Sequence, residues 1–279
     1  MDRANVVIIG GGVVGCALAC EIAARTEDVF LLEQLPKLGM ATSTRNSGVV
    51  HSGIYYPPGS LKGRLCVSGN VMTKEFCAAH GVPHNNCGKL VVASHESEIA
   101  DLEKLAANGR ANGVEGLRMV DRARIREREP HIAAVAAREV PSTGIVEAEA
   151  LVKAYARIAV DRGANILNHA RVAELKPCAD SIAVLIEIGD PADPASLQRE
   201  SIEARCVVNA AGLYADEVAA MLGNTSYRIY PVRGEYAEVN RSRAHLVNAL
   251  VYPLPHPGGL TLGVHLTRTM WGTILVGPS

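Results

Sequence analysis

A short apolar run that gives way to a cluster of glycines dictates how this chain must begin. Val6-Val7-Ile8-Ile9 has the continuous hydrophobicity of a parallel strand buried on both faces. Gly10-Gly11-Gly12-Val13-Val14-Gly15 follows at once and leads into residues 16–24, a small-residue stretch of helical character. Val29-Phe30-Leu31-Leu32 reads as a second buried strand, with Glu33 at its end. Gly10 permits the tight turn, Gly12 lets a pyrophosphate approach the backbone, and Gly15 lets helix and strand pack closely. The exposed N–H groups and dipole of a helix N-terminus attract phosphate. Glu33, roughly 20 residues past the glycines, can accept hydrogen bonds from a ribose hydroxyl. The pattern predicts a dinucleotide-binding βαβ unit; the competing reading is a tight strand–helix turn with no ligand.

With 279 residues the chain is long enough for two domains. A formal charge of -1 and a pI near 6.8 supply no basic face, so nucleic acid is not an expected partner. The 7 cysteines form no CxxC pair and fit a reduced intracellular protein better than a disulfide scaffold or a zinc site. The longest apolar stretch, Val6 to Cys20, has neither a charged leading region nor a cleavage site, and its glycines argue against a membrane helix. A cytoplasmic location is expected, with peripheral membrane contact left open. His80, His84 and His95 show no metal-ligand spacing, and no metal is expected.

Beyond the opening unit, a polar segment, Thr42 to Gly48, runs into His51-Ser52-Gly53-Ile54-Tyr55-Tyr56. Helical periodicity covers Leu61 to His80, Glu96 to Asn108 and Val146 to Arg162. Strand character marks Gly88 to Ser94, Asn165 to Asn168, Ile182 to Ile188 and Ile202 to Val208. Asp121 to Glu129, dense in charge of both signs, reads as a solvated helical face. From Arg228 onwards the pattern is β-rich, over Arg228 to Val232, Gly234 to Val239, Leu260 to Leu266 and Thr273 to Val276. The order predicts an α/β fold: a Rossmann-like domain interrupted by excursions into a second domain with a mixed or antiparallel sheet. The expected division is 1–84 and 144–226 for the first domain, and 85–143 and 227–279 for the second.

Several segments resemble a particular family. Arg45-Asn46-Ser47-Gly48-Val49-Val50 followed by His51-Ser52-Gly53-Ile54-Tyr55-Tyr56 is similar to the flavin-side signature of L-2-hydroxyglutarate dehydrogenases and oxidases. Arg233-Gly234-Glu235-Tyr236, Val251-Tyr252-Pro253-Leu254-Pro255 and Gly263-Val264-His265-Leu266-Thr267-Arg268 resemble its substrate-domain signatures, and Gly277-Pro278 its strand ending. That family belongs to the D-amino-acid-oxidase-like flavoproteins, so the resemblance implies FAD as cofactor and an FAD-binding role for the Rossmann-like domain. It implies that Val172 holds the adenine through its backbone and that Ala211 and Gly212 pass near the cofactor. It puts Thr42, Ser43, Asn46 and Ser47 on the loop that approaches pyrophosphate and flavin. Two departures stand out. Members continue well past a segment like 273–278, so the chain reads as C-terminally truncated, and Trp271 stands where a small or acidic residue is expected.

The implied reaction oxidises a 2-hydroxy acid, with L-2-hydroxyglutarate going to 2-oxoglutarate and electrons passing to oxygen or a membrane quinone. It needs hydride removal from the α-carbon and a base for the hydroxyl proton. Histidine suits the base role because its reference pKa lies near neutrality. His51 is the first candidate, on the loop the resemblance puts beside the flavin. His265 is the rival, on a strand whose alternation gives it the face opposite Val264 and Leu266, with a solvated strand histidine as the alternative. A dicarboxylate calls for arginine forks, and Arg233 and Arg268 are the candidates. Arg45 can instead serve the cofactor phosphates. Tyr55 and Tyr252 can donate hydrogen bonds to substrate or pack at a domain interface. Two further readings stand beside this one: an amine or amino-acid oxidase on the same fold, and a truncated, catalytically inactive flavoprotein fragment.

Overall fold

A computed structural model of the chain describes residues 2–255 and 263–279. It divides into two compact units, each assembled from two separate stretches of sequence: Met1–Asn46 with Ala148–Val232, and Ser47–Glu147 with Arg233–Ser279.

The first unit is built on a six-stranded sheet among the described residues. Its inner strand, Asp2–Ile9, pairs in parallel with Val29–Leu32 on one side and with Gln198–Asn209 on the other. Asn165–Leu167 extends the parallel side. Antiparallel Ile182–Ile188 and Ala170–Pro177 extend the other side beyond Gln198–Asn209. Burial on both faces explains why Val7, Ile8 and Leu31 are apolar in sequence and fully enclosed. The helices Val13–Ala23 and Ala148–Asp161 pack together, and Arg162 ties them by donating from Nη1 to the Cys20 carbonyl at 2.7 Å.

The second unit holds a seven-stranded sheet and a small three-stranded one among the described residues. Strand order in the larger sheet is Ala237–Val239, Ile274–Gly277, His265–Arg268, Leu250–Pro253, Lys89–Ala93, Ala136–Val140, Arg118–Asp121. All neighbours are antiparallel except Lys89–Ala93 beside Leu250–Pro253, which run parallel. The helix Leu61–His80 starts at Ser60, whose side chain accepts from the Gly63 N–H, and stops at Gly81 in the left-handed region (φ 67).

Several expectations need correction. Residues 47–84 belong to the second unit, not the first. The reason is polar as much as apolar. Asn70, buried on the helix, donates to the carbonyls of His51 (2.9 Å) and Ser142 (2.8 Å), and His84–Asn85 pairs with the strand Gly144–Val146. Residues 144–147 likewise lie in the second unit and 227–232 in the first. Arg228 to Val232 forms no strand, because its residues face solvent and no neighbouring ladder receives them; Val232 is 92% exposed. Of the strand expected over Leu260 to Leu266, residues 260–262 lie outside the described residues, and the observed strand is His265–Arg268. Glu129 is not part of a solvated face. It is fully buried, and its carboxylate accepts from the backbone N–H groups of Asn248 and Ala249, each at 2.8 Å. Among the described residues no helix is long and apolar enough to cross a membrane.

Because Glu129 satisfies two backbone donors of a segment more than a hundred residues away, Glu129→Ala leaves both unpaired. Each such loss costs about 1–3 kcal/mol, so the variant should be less stable by roughly 2–6 kcal/mol in urea denaturation. An unchanged midpoint would show that the clamp contributes nothing.

Candidate functional site

In the first unit the turn after Asp2–Ile9 is closed so tightly that only glycine fits. Gly10 has φ +107, and a Cβ there would lie 2.4 Å from the Ala210 carbonyl oxygen; at Gly15 it would lie 1.9 Å from the Gly10 carbonyl oxygen. The turn delivers the chain to the N-terminus of the helix Val13–Ala23, where Ser43 Oγ accepts from the Val13 N–H at 2.9 Å. A cavity of about 320 Å³ opens here, lined by Gly10, Gly12, Glu33, Thr42, Ser43, Val172, Ala211 and Gly212. Its apolar wall includes Ile9, Leu32, Val218 and Met221. Glu33 is held by the N–H groups of Gly11 and Leu35, each donating at 2.8 Å, which leaves carboxylate lone pairs for a hydroxyl donor. Burial, and then the nearby Glu33 charge, push the Cys16 thiol up to about 12, so it is an inert packing group.

A glycine-only corner, a helix N-terminus, a fixed carboxylate and an apolar wall together fit a dinucleotide such as FAD. Not every expected residue joins them. Arg45 donates from Nε to the Met40 carbonyl, and Asn46 donates from Nδ2 to the carbonyls of Thr42 and Ser43. Both are absent from the cavity lining and brace the loop instead. Ser47 falls in the second unit.

The second unit gathers a different set of side chains. Asn108 and Asn112, on the helix Ile99–Ala111 and its C-cap, donate to the carbonyls of Gly53, Ile54 and Tyr56. Asn70 Nδ2 and the Cys66 thiol donate to the His51 carbonyl. These bonds fix the loop that carries His51 and Tyr55. Tyr55 meets Lys89, whose Nζ donates to the phenol oxygen at 3.2 Å. The same ammonium lies 4.3 Å from the Tyr55 ring centroid and 4.8 Å from that of Tyr252. Tyr252 stacks on His265 at 3.8 Å, and Tyr236 meets His265 edge-on at 6.2 Å. His265 is 3% exposed, so the solvated-strand alternative is overturned; Val264 is the exposed neighbour. Its Nδ1 lies 3.0 Å from the Gly263 carbonyl.

Burial dominates the electrostatics. It pushes His51 down to about 4, helped by the charges of Lys89, His265 and Lys62, so the imidazole is neutral and ready to accept a proton. Burial lowers Lys89 to about 7 and also depresses His265. The phenols move the other way: burial raises Tyr55 strongly and Tyr252 to about 12, so both stay protonated donors.

The two arginines do not join this cluster. Arg233 is exposed and paired with Glu235 at 2.8 Å. Arg268 alternates with His265 and Thr267 along the strand, so it points to the opposite face. There its Nη1 donates to the carbonyls of Ala244 and Val247. Lys89 was the residue that sequence reasoning passed over. Its one signal is a lysine at the head of Lys89-Leu90-Val91-Val92-Ala93, a run otherwise apolar enough for burial on both faces. Among the described residues no cluster of metal-ligating side chains occurs.

Fold and cradle define the class, a protein with a Rossmann-like domain shaped to hold a dinucleotide. The family model "FAD dependent oxidoreductase" matches residues 5–279, and the chain belongs to that family. Its relatives include the mitochondrial L-2-hydroxyglutarate dehydrogenase of Nematostella vectensis, 39% identical over 100% of this chain and 62% of the relative. Another is the L-2-hydroxyglutarate dehydrogenase of Escherichia coli K12, 36% identical over 98% of this chain and 63% of the relative. The chain thus spans somewhat less than two thirds of their length. Among solved structures it is similar to dithionite-reduced L-alpha-glycerophosphate oxidase from Mycoplasma pneumoniae with FAD bound, at 27% identity and a TM-score of 0.85. That match covers 100% of this chain and 72% of the other.

Two predictions follow from this geometry. Gly10→Ala collides with backbone, so the protein should lose FAD, seen as a missing flavin band in material of wild-type helical content. Lys89→Met removes an uncompensated buried charge and should stabilise the fold by about 1–4 kcal/mol near pH 7. The sign follows from the depressed value: the unfolded chain binds more protons at Lys89 between about pH 7 and its ordinary range. Wild-type stability therefore climbs as pH rises through that window, and the advantage of Lys89→Met shrinks. A difference flat from pH 7 to 10 would contradict it.

Proposed function

We propose that the chain oxidises a 2-hydroxy acid with FAD, converting L-2-hydroxyglutarate to 2-oxoglutarate. The observation that carries this reading is a half-buried, neutral histidine in the field of a buried lysine that hydrogen-bonds a protonated phenol. Such a set can take a hydroxyl proton while gripping a carboxylate. The similarity to L-2-hydroxyglutarate dehydrogenases over essentially the whole chain supports the choice of substrate.

When bound, FAD supplies the two-electron acceptor for the hydride that leaves the α-carbon. Gly10, Gly12, Glu33, Ser43, Val172 and Ala211 would hold it. An unprotonated ring nitrogen of His51 accepts the hydroxyl proton as the carbon–oxygen double bond forms. His265, stacked on Tyr252 and tied to the Gly263 carbonyl, is the more buried histidine and orients the Tyr252 ring. Tyr55 donates a hydrogen bond to a substrate oxygen, and the buried Tyr252 packs behind it against Lys89 and His265. Electrons then leave for oxygen or a membrane quinone.

The test is an anaerobic titration of FAD-loaded protein with L-2-hydroxyglutarate. Bleaching of the oxidised-flavin band is the expected result. His51→Gln should slow it by about 10²–10⁴-fold, the usual worth of a positioned base, while retaining the flavin. A band bleached by amino acids but not by the hydroxy acid would replace this reading with amine oxidation. A band that no substrate bleaches would favour a catalytically inactive protein.

A further inference from the structure

Buried charge in this protein is compensated almost everywhere. Among the described residues, the buried carboxylates and cations are Glu33, Lys89, Glu129, Arg138 and Glu139. Glu33 and Glu129 each accept two backbone N–H groups. Glu139 pairs with Arg118 and Arg128, and Arg138 with Glu103 at 2.8 Å. Lys89 is the exception. It is 0% exposed, and among the described residues its hydrogen bond goes to a neutral phenol, with two aromatic faces as its other support. An uncompensated buried ion costs several kcal/mol, and aromatic faces return only part of that. Such a group persists where a ligand brings the missing charge.

Tyr55 shows where that charge arrives. Its oxygen accepts from Lys89 Nζ, so its own proton is free to donate outward. A phenol that accepts from an ammonium is also a stronger donor, because successive hydrogen bonds polarise one another. Tyr55 is only half-buried, whereas Lys89 and Tyr252 are closed off. We propose that Lys89 is the positioning cation that selects an anionic substrate, acting through the Tyr55 hydroxyl, which grips the substrate carboxylate. The proposal rests on the hydroxy-acid reading above, since it supplies the carboxylate.

The surroundings support it. Facing Lys89 are Tyr55 and His51 from the loop, Cys66 from the helix Leu61–His80, Tyr252 and His265 from neighbouring strands, and Arg138 on the same sheet face, held by Glu103. Lys62 adds its charge at His51. None of these is an acid ionised at neutral pH, and burial leaves Lys89 near the midpoint of its titration around pH 7. A carboxylate bound at Tyr55 restores the ammonium form, so binding must be coupled to proton uptake.

Glutarate, a dicarboxylate with no oxidisable hydroxyl, is the probe, titrated calorimetrically into the FAD-loaded chain in buffers of different ionisation enthalpy. Wild type should take up close to one proton at pH 8 and almost none at pH 6, with affinity falling as pH rises above 7. Both histidines stay neutral at pH 8 and do not contribute. Lys89→Met, folded by circular dichroism, should bind at least about tenfold more weakly and without uptake. Lys89→Arg should restore binding with no uptake, because guanidinium does not titrate. Tyr55→Phe should weaken binding without altering stability in the manner of Lys89→Met. Wild-type affinity and uptake in Lys89→Met would overturn the proposal, as would failure of glutarate to bind wild type. Lys89-dependent glutarate binding without flavin reduction by L-2-hydroxyglutarate would retire the substrate reading and leave the role of Lys89 intact.

Discussion

Each unit depends on one parallel pairing between strands far apart in sequence. Asp2–Ile9 pairs along its length with Gln198–Asn209, and Lys89–Ala93 pairs with Leu250–Pro253. Parallel neighbours cannot be joined by a hairpin, so each pairing forces a long excursion between its strands. That constraint explains the interleaved architecture, in which each unit is completed only when the chain returns. It also places the chemistry. The first pairing sets Ala210 and Ala211 against the Gly10 turn, and the second sets Tyr252 beside the strand that carries Lys89.

The two pairings differ in what they ask of side chains. In the first unit small residues matter because backbone must approach backbone, as at Gly10 and Gly15. In the second unit large polar side chains occupy the sheet face, and their energetics are electrostatic rather than steric. A substitution in the cradle therefore acts through collision. A substitution in the Lys89 cluster acts through charge and proton affinity, with the fold left standing.

This difference also governs how much was legible in sequence. The cradle could be read because its requirements are local: apolar run, glycines, small-residue helix and terminal acid follow one another within 33 residues. Helix Leu61–His80 matched its expected limits because its cap and its left-handed stop are local signals too. Its allegiance was not legible, since the side-chain bonds from Asn70 to Ser142 bridge 72 positions. Arg268 looked like a substrate fork because the residue type suits carboxylates, but its strand face turns it to backbone carbonyls. Glu129 was hidden in a run of surface charge, its partners lying near residue 248. Lys89 escaped notice because its single local signal, a place at the head of an apolar strand, also suits a lysine that reaches solvent along its apolar stem.

A buried lysine without an acid is a poor choice for stability alone, since a methionine of similar length would fill the same space at no electrostatic cost. Its neighbours show that the fold can supply counter-charges where charge is structural, as for Arg138 of the same sheet, which pairs with Glu103 from the helix Ile99–Ala111. Providing an internal carboxylate at Lys89 would have removed the cost, but it would also have occupied the donor that an incoming anion needs. Leaving the charge on a neutral phenol keeps Tyr55 as a donor and leaves the positive field in place for His51, which it helps to hold unprotonated. One uncompensated ammonium thus serves both halves of the proposed reaction, drawing a carboxylate to the site and keeping the proton acceptor empty. The instability it brings is the physical trace of that dual role.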